Sequence, residues 1–140
     1  MIQLDDDIKE AINGAFEARN FVVLGYVGDD EAPHLSFRRS TQVFGPDQLA
    51  IWVRNPDGGL VRAIRTRPRV TLLYRSSEPR RLLTLMGRAR VDPRANDVVY
   101  ANTHPAERDR DPQKKGVALI IDLDEVSGFG LSGPIRMTRV

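Results

Sequence analysis

The chain has 140 residues, 41% hydrophobic and 29% charged, a balance that fits one globular domain spanning residues 1–140, with no run near the ~18 apolar residues of a membrane span. Cysteine is absent and the only histidines are His34 and His104, which excludes disulfides, thiolate metal sites, cysteine nucleophiles and a three-histidine metal centre. The formal net charge of +2 shows no bulk excess, but its distribution is uneven.

The chain opens MIQLDDD, acidic from the fifth residue and unlike a secretory or transit leader, so a cytoplasmic location is expected. Ile8, Ile12, Ala15, Phe16 and Arg19 recur at helical spacing behind Asp5 to Asp7, and predict a helix over 6–19. FVVLGYV (21–27) is β-branched and aromatic, hence strand. GDDEAP (28–33) is turn chemistry, HLSFRRSTQVF (34–44) reads as one long second strand, GPDQ (45–48) as a turn and LAIWVR (49–54) as a third strand. NPDGG (55–59) breaks the sheet. Leu60, Val61 and Ile64 then share one side of a short helix that stops before Pro68.

VTLLYRS (70–76) and RLLTLMGRARVD (81–92) are strands on either side of a turn. Gly87 and Ala89 are small for a strand interior and mark close approach of a ligand or another backbone. Asp92-Pro93 opens a helix running to about 102, the polar stretch 101–116 reads as loop with a helical turn, VALIIDLDEV (117–126) is strand, and a short strand near 134–139 ends the chain. The expected fold is mainly β (α+β): six or seven antiparallel strands with two or three small flanking helices, closed into a barrel because closure removes sheet edges.

Residues 1–37 carry eight acids and two bases, residues 38–94 four acids and thirteen bases, and residues 95–140 seven acids and six bases. All thirteen central bases are arginine, the side chain suited to a bidentate grip on phosphate or carboxylate, so the middle of the chain points to an anionic ligand or nucleic acid. Nucleic acid is disfavoured, since only Phe44, Trp52 and Tyr74 interleave these arginines and no recognition motif is present. GFGLSG (128–133) matches a dinucleotide fingerprint, but seven residues remain after it, too few for the required helix and distal acid; it reads as a glycine-rich turn. No Walker A motif, nucleophile elbow or carboxylate pair stands out. The ERDRD run (107–111) reads as solvated salt-bridge surface, and Trp52 either as core or as a flat ring flanking a ligand beside Arg54.

Pro33-His-Leu-Ser, LAIWVRNPDGGLVRAIRTRPRVTLLYR (49–75), LMGRARVD (85–92) followed by a helix, and VALIIDLDEV, in this order and spacing, resemble the FMN-binding split β-barrel family of pyridoxamine 5′-phosphate oxidase and its relatives. The likeness covers nearly the whole chain. It implies a homodimer with FMN at the interface, or in some relatives deazaflavin or haem, acting as an oxidoreductase on a small organic substrate; a binding protein without catalysis is the alternative. It implies that the cofactor phosphate is held by Arg38, Arg39, Ser40 and Thr41 on the second strand, by Trp52, Val53, Arg54 and Asn55 at the end of the third, and by Arg62 on the following helix, whose N-terminus is preceded by Gly58-Gly59. The resemblance assigns no catalytic residue, metal or substrate. Leu60 departs from the family, standing where relatives commonly carry a lysine; Arg54 or Arg62 would supply that charge.

Overall fold

The Asp5 carboxylate accepts a hydrogen bond from the Ile8 N–H (2.9 Å) and caps helix α1 (Asp6–Asn13), whose Ile8, Ala11 and Ile12 are buried. The helix is shorter than the predicted 6–19. Gly14 ends it, and the chain continues as turns to Arg19, which has φ 59°, although Ala15 still packs into the core. The structure, a computed structural model, describes residues 1–139.

One sheet of eight strands follows, one more than the upper expectation: β1 (Val23–Val27), β2 (Pro33–Phe37), β3 (Gln42–Gly45), β4 (Gln48–Val53), β5 (Arg69–Ser77), β6 (Arg80–Val91), β7 (Val117–Gly130) and β8 (Gly133–Thr138). The extra strand arises because the predicted strand 34–44 is two strands, β2 and β3, separated by the turn Arg38–Thr41. All neighbours pair antiparallel, in the order β2-β1-β5-β6-β7-β4-β3, with β8 on β7. The sheet does not close fully, as the resemblance to split barrels implies. Strands β2 and β3 end this order, and the chain joins them through residues 38–41 without a ladder between them.

Helix α2 (Gly59–Ile64) and α1 cover one face of the sheet, where Leu24, Leu49, Ile51, Leu72, Leu83, Leu85, Leu119 and Ile121 form the main core. A smaller core lies on the opposite face of β4 and β7. There Ala50, Trp52, Ala118 and Ile120 pack under Ala95 of a 3-10 turn (Pro93–Ala95) and Val99 of α3 (Asn96–Asn102). Burial on both faces explains why LAIWV and VALII are continuous apolar runs rather than alternating ones. The stretch predicted as loop after 101 contains the end of α3 and the short helix α4 (Pro105–Arg108). Among the described residues no helix is long and apolar enough to cross a membrane, and no acidic or histidine cluster is arranged to hold a metal.

The close approach expected at Gly87 is made by backbone: a β-bulge shifts the β6–β7 register between Met86 and Gly87, and a Cβ at Gly87 would strike the Asp122 carbonyl. The first part of GFGLSG is strand rather than turn; β7 runs to Gly130, and Leu131-Ser132 alone connect it to β8. Gly128 has φ +132° and its Cβ position is filled by the Leu82 carbonyl, whereas Gly133 at φ +111° has open space around it. Gly128→Ala therefore combines backbone strain with a clash and is expected to cost ~2–4 kcal/mol in urea unfolding. Gly133→Ala carries only the strain, ~1–2 kcal/mol, and equal losses for the two variants would refute this assignment.

Candidate functional site

The turn Arg38–Thr41 is fixed to β4 by one hydroxyl. Ser40 Oγ donates to the Trp52 carbonyl (3.1 Å) and accepts from the Trp52 N–H (2.9 Å), continuing the register in which Gln42 faces Ala50. Thr41 Oγ1 donates to the Arg38 carbonyl (2.7 Å), and the Thr41 N–H reaches the same oxygen at 3.2 Å. The Gln42 side chain donates to the Val99 carbonyl (3.2 Å), binding the end of the turn to α3. Ser40 and Thr41, expected as ligand-binding hydroxyls on a strand, thus lie in a turn with their protons engaged by backbone.

Five of the nine expected residues, Arg38, Arg39, Ser40, Trp52 and Arg54, line one cleft with a volume of about 70 Å³. Thr41 lines a neighbouring pocket of about 410 Å³ that shares Arg39 and Ser40 with the cleft. Val53 points into the main core at 4% exposure. Asn55 Oδ1 accepts from the Asp57 N–H (3.1 Å) in the loop before α2. Arg62 turns back from α2 to donate to the Asp57 carbonyl (2.6 Å) and lies 3.8 Å from the Asp29 carboxylate.

Three arginines of the cleft differ from Arg62 in one respect: among the described residues, no carboxylate pairs with Arg38, Arg39 or Arg54. Arg38 is half-buried and donates through Nε to Ser36 Oγ (3.0 Å). Burial and the like charge of Arg54 push its guanidinium below its ordinary value, against an opposing effect from Tyr26, and as an arginine it stays charged at neutral pH. Arg39 lies over the Phe21 ring, 4.5 Å from its centroid. Three guanidiniums gathered without a paired carboxylate of their own favour an anion.

Three contributors were not apparent from the sequence. Glu107 and Arg110, from the run read as solvated surface, complete the cleft. Asp111 of the same run, 8% exposed, accepts from Trp52 Nε1 (3.0 Å), the Gly116 N–H (2.9 Å) and the Lys115 N–H (3.0 Å). Trp52 is therefore a core residue, edge-on to Tyr100 and held by a buried carboxylate. No local pattern signals these contacts; the one usable cue is that a buried indole N–H needs an acceptor. In the adjoining pocket, His104 Nδ1 accepts from the Ala106 N–H (3.0 Å), so Nε2 carries the proton and donates to Glu17 (2.5 Å).

Burial works to raise the Asp111 pKa, but the hydrogen bonds from Lys115, Gly116 and Trp52 outweigh it and hold the carboxyl below its ordinary 3.8. A carboxyl lowered by folding stabilises above its unfolded value and loses that contribution as pH falls through its folded one. Asp111→Asn should therefore destabilise the protein at pH 7, and the gap to wild type in urea unfolding should shrink as pH falls from about 4. A gap independent of pH would show that Asp111 acts only by shape.

No family model matches the chain, and no curated protein does. Solved structures do. An FMN-binding protein of Nostoc punctiforme, related to pyridoxamine 5′-phosphate oxidase, superposes with a TM-score of 0.71 at 14% identity over 91% of this chain and 84% of its own. A Clostridium acetobutylicum protein of the pyridoxinephosphate oxidase family, related to general stress protein 26, gives 0.67 at 12% identity over 96% of each chain. HupZ of Group A Streptococcus gives 0.66 at 16% identity over 94% of this chain and 97% of its own. The described chain thus has the fold of the pyridoxamine 5′-phosphate oxidase-like, FMN-binding proteins.

Proposed function

We propose that the chain is an FMN-binding oxidoreductase of the pyridoxamine 5′-phosphate oxidase-like superfamily, acting in the cytoplasm as a homodimer on a small organic substrate. The observation that carries the reading is the cleft of Arg38, Arg39 and Arg54, three guanidiniums without a carboxylate partner at the junction of the β2–β3 turn and the end of β4. A phosphate monoester supplies the missing charge, and its tetrahedral oxygens match guanidinium donors. The fold supports the choice of a flavin phosphate, since the Nostoc neighbour is an FMN-binding protein.

Bound flavin would supply the redox chemistry. The chain would supply the grip. In this reading Arg38 and Arg54 hold the phosphate, Arg39 borders both cleft and pocket, and Trp52, locked by Asp111, is a rigid wall. No protein acid–base group is assigned to the reaction; the carboxylate in the cleft, Glu107, is paired with Arg110.

An apolar face supports the dimer. Leu35 and Phe37 of β2, Val27 of β1 and Leu73 of β5 are 77%, 63%, 40% and 43% exposed. The pairings Phe37↔Val23, Val23↔Leu73, Gly25↔Leu35 and Val27↔Pro33 put them on one side of the sheet, opposite the core. Phe37 also lines the arginine cleft, so this face runs up to the proposed cofactor site.

Purified protein mixed with FMN should develop protein-bound flavin absorbance, and Arg38→Ala and Arg54→Ala should each weaken binding ~10–100-fold by removing a charged hydrogen-bond donor. Arg62→Ala, already internally paired, should matter far less. Failure of wild type to take up FMN overturns the reading, and uptake of deazaflavin or haem instead replaces the ligand. Sedimentation should show a dimer that Phe37→Glu shifts toward monomer; a wild-type monomer at micromolar concentration rejects the dimer.

A further inference from the structure

The arginine cleft contains one carboxylate. Glu107 is 9% exposed, and the cation paired with it, Nη1 of Arg110, lies 3.5 Å from Oε1, at the limit of a hydrogen bond. Helix α4 sets its position: His104 caps the helix through Nδ1, and the Glu107 N–H donates to the His104 carbonyl (2.9 Å). The other charged groups that line the cleft are the guanidiniums of Arg38, Arg39 and Arg54.

A carboxylate in such a place affects a ligand in two ways. It repels any oxyanion held by the arginines. It also accepts hydrogen bonds and donates none, so it rewards a ligand that brings a donor beside its phosphate. Ser40 and Thr41 do not provide that donor, because their hydroxyl protons are held by backbone carbonyls. The cleft is small and partly open to solvent, so a phosphate seated on the arginines can carry its attached chain toward the rim. A bare phosphate meets only the repulsion. A phosphate monoester with a hydroxyl on a neighbouring carbon turns the same carboxylate into a contact.

We infer that Glu107 is the specificity residue of the arginine cleft, selecting phosphate monoesters of polyols or sugars over inorganic phosphate through a hydrogen bond from a ligand hydroxyl. This inference rests on the anion-binding reading of the cleft and names its ligand class, to which the ribityl phosphate of FMN belongs.

Calorimetric titration of the full chain with ribose 5-phosphate and with inorganic phosphate tests it. Wild type should bind the ester about tenfold or more tightly than phosphate, the effect of one hydrogen bond to a charged group. Glu107→Gln should shrink that ratio to about threefold or less, chiefly by tightening inorganic phosphate, while Glu107→Asp, which keeps the charge, should preserve most of it. A wild type without preference, or a Glu107→Gln variant that shifts both ligands by the same factor, would each overturn the assignment. Ester selectivity without FMN uptake would support Glu107 and reject the flavin; FMN uptake without ester selectivity would do the reverse.

Discussion

The Ser40 hydroxyl, bonded to both the N–H and the carbonyl of Trp52, is the contact on which the cleft depends. It extends the β3–β4 pairing by one step with a side chain in place of backbone. The chain is thereby free to leave strand geometry at Arg38, turn, and enter β3 at Gln42 while still attached to β4. Two consecutive arginines are carried on that turn, and Arg54 lies two residues beyond the anchored tryptophan. Strands β2 and β3 stay unpaired with each other, and the arginine cleft lies at this split. A closed barrel would place backbone ladder where the guanidiniums gather.

The arrangement concentrates positive charge at a cost that other parts of the molecule offset. Arg38 is half-buried beside Arg54, a repulsion expressed in its lowered pKa. Arginine tolerates this because its guanidinium stays protonated and is weakly hydrated. Trp52 is immobilised from behind by Asp111, whose oxygens are fully engaged by three N–H donors, so the wall of the cleft is stiff before any ligand arrives. The region 102–111 contributes to three features at once: His104 to the adjoining pocket, Glu107 and Arg110 to the cleft, and Asp111 to the tryptophan.

The sheet outside the cleft follows simpler rules. Strands β5 and β6 alternate buried and exposed residues along most of their length, as expected of strands with one face on the core. Strands β4 and β7 break that alternation because α3 covers their second face. The bulge at Gly87 and the positive φ of Gly128 are both places where the β6–β7 pair brings backbone too close for a side chain. Strands β1, β2 and β5 leave their outer side apolar and uncovered, the feature on which the proposed self-association rests.

Local pattern was sufficient for most elements: the N-cap of α1, the apolar runs of β4 and β7, the short helix before Pro68, and the Asp92-Pro93 start of the helical segment before α3. The arginine-rich middle of the chain and the family resemblance together named five of the residues that line the cleft. Tertiary structure decided the rest, for reasons periodicity does not encode. Residues 34–44 look like one strand because Phe37, Val43 and Phe44 fit a β pattern, but the turn is imposed by Ser40 finding a partner twelve residues away. ERDRD looks like solvated surface because alternating charge usually is, yet Asp111 meets Trp52 across 59 residues and Glu107 lies buried in the cleft. Sequence determined which charges and apolar runs the protein has; only the fold decided which of those charges lack a partner, since pairing depends on distances between segments far apart in the chain.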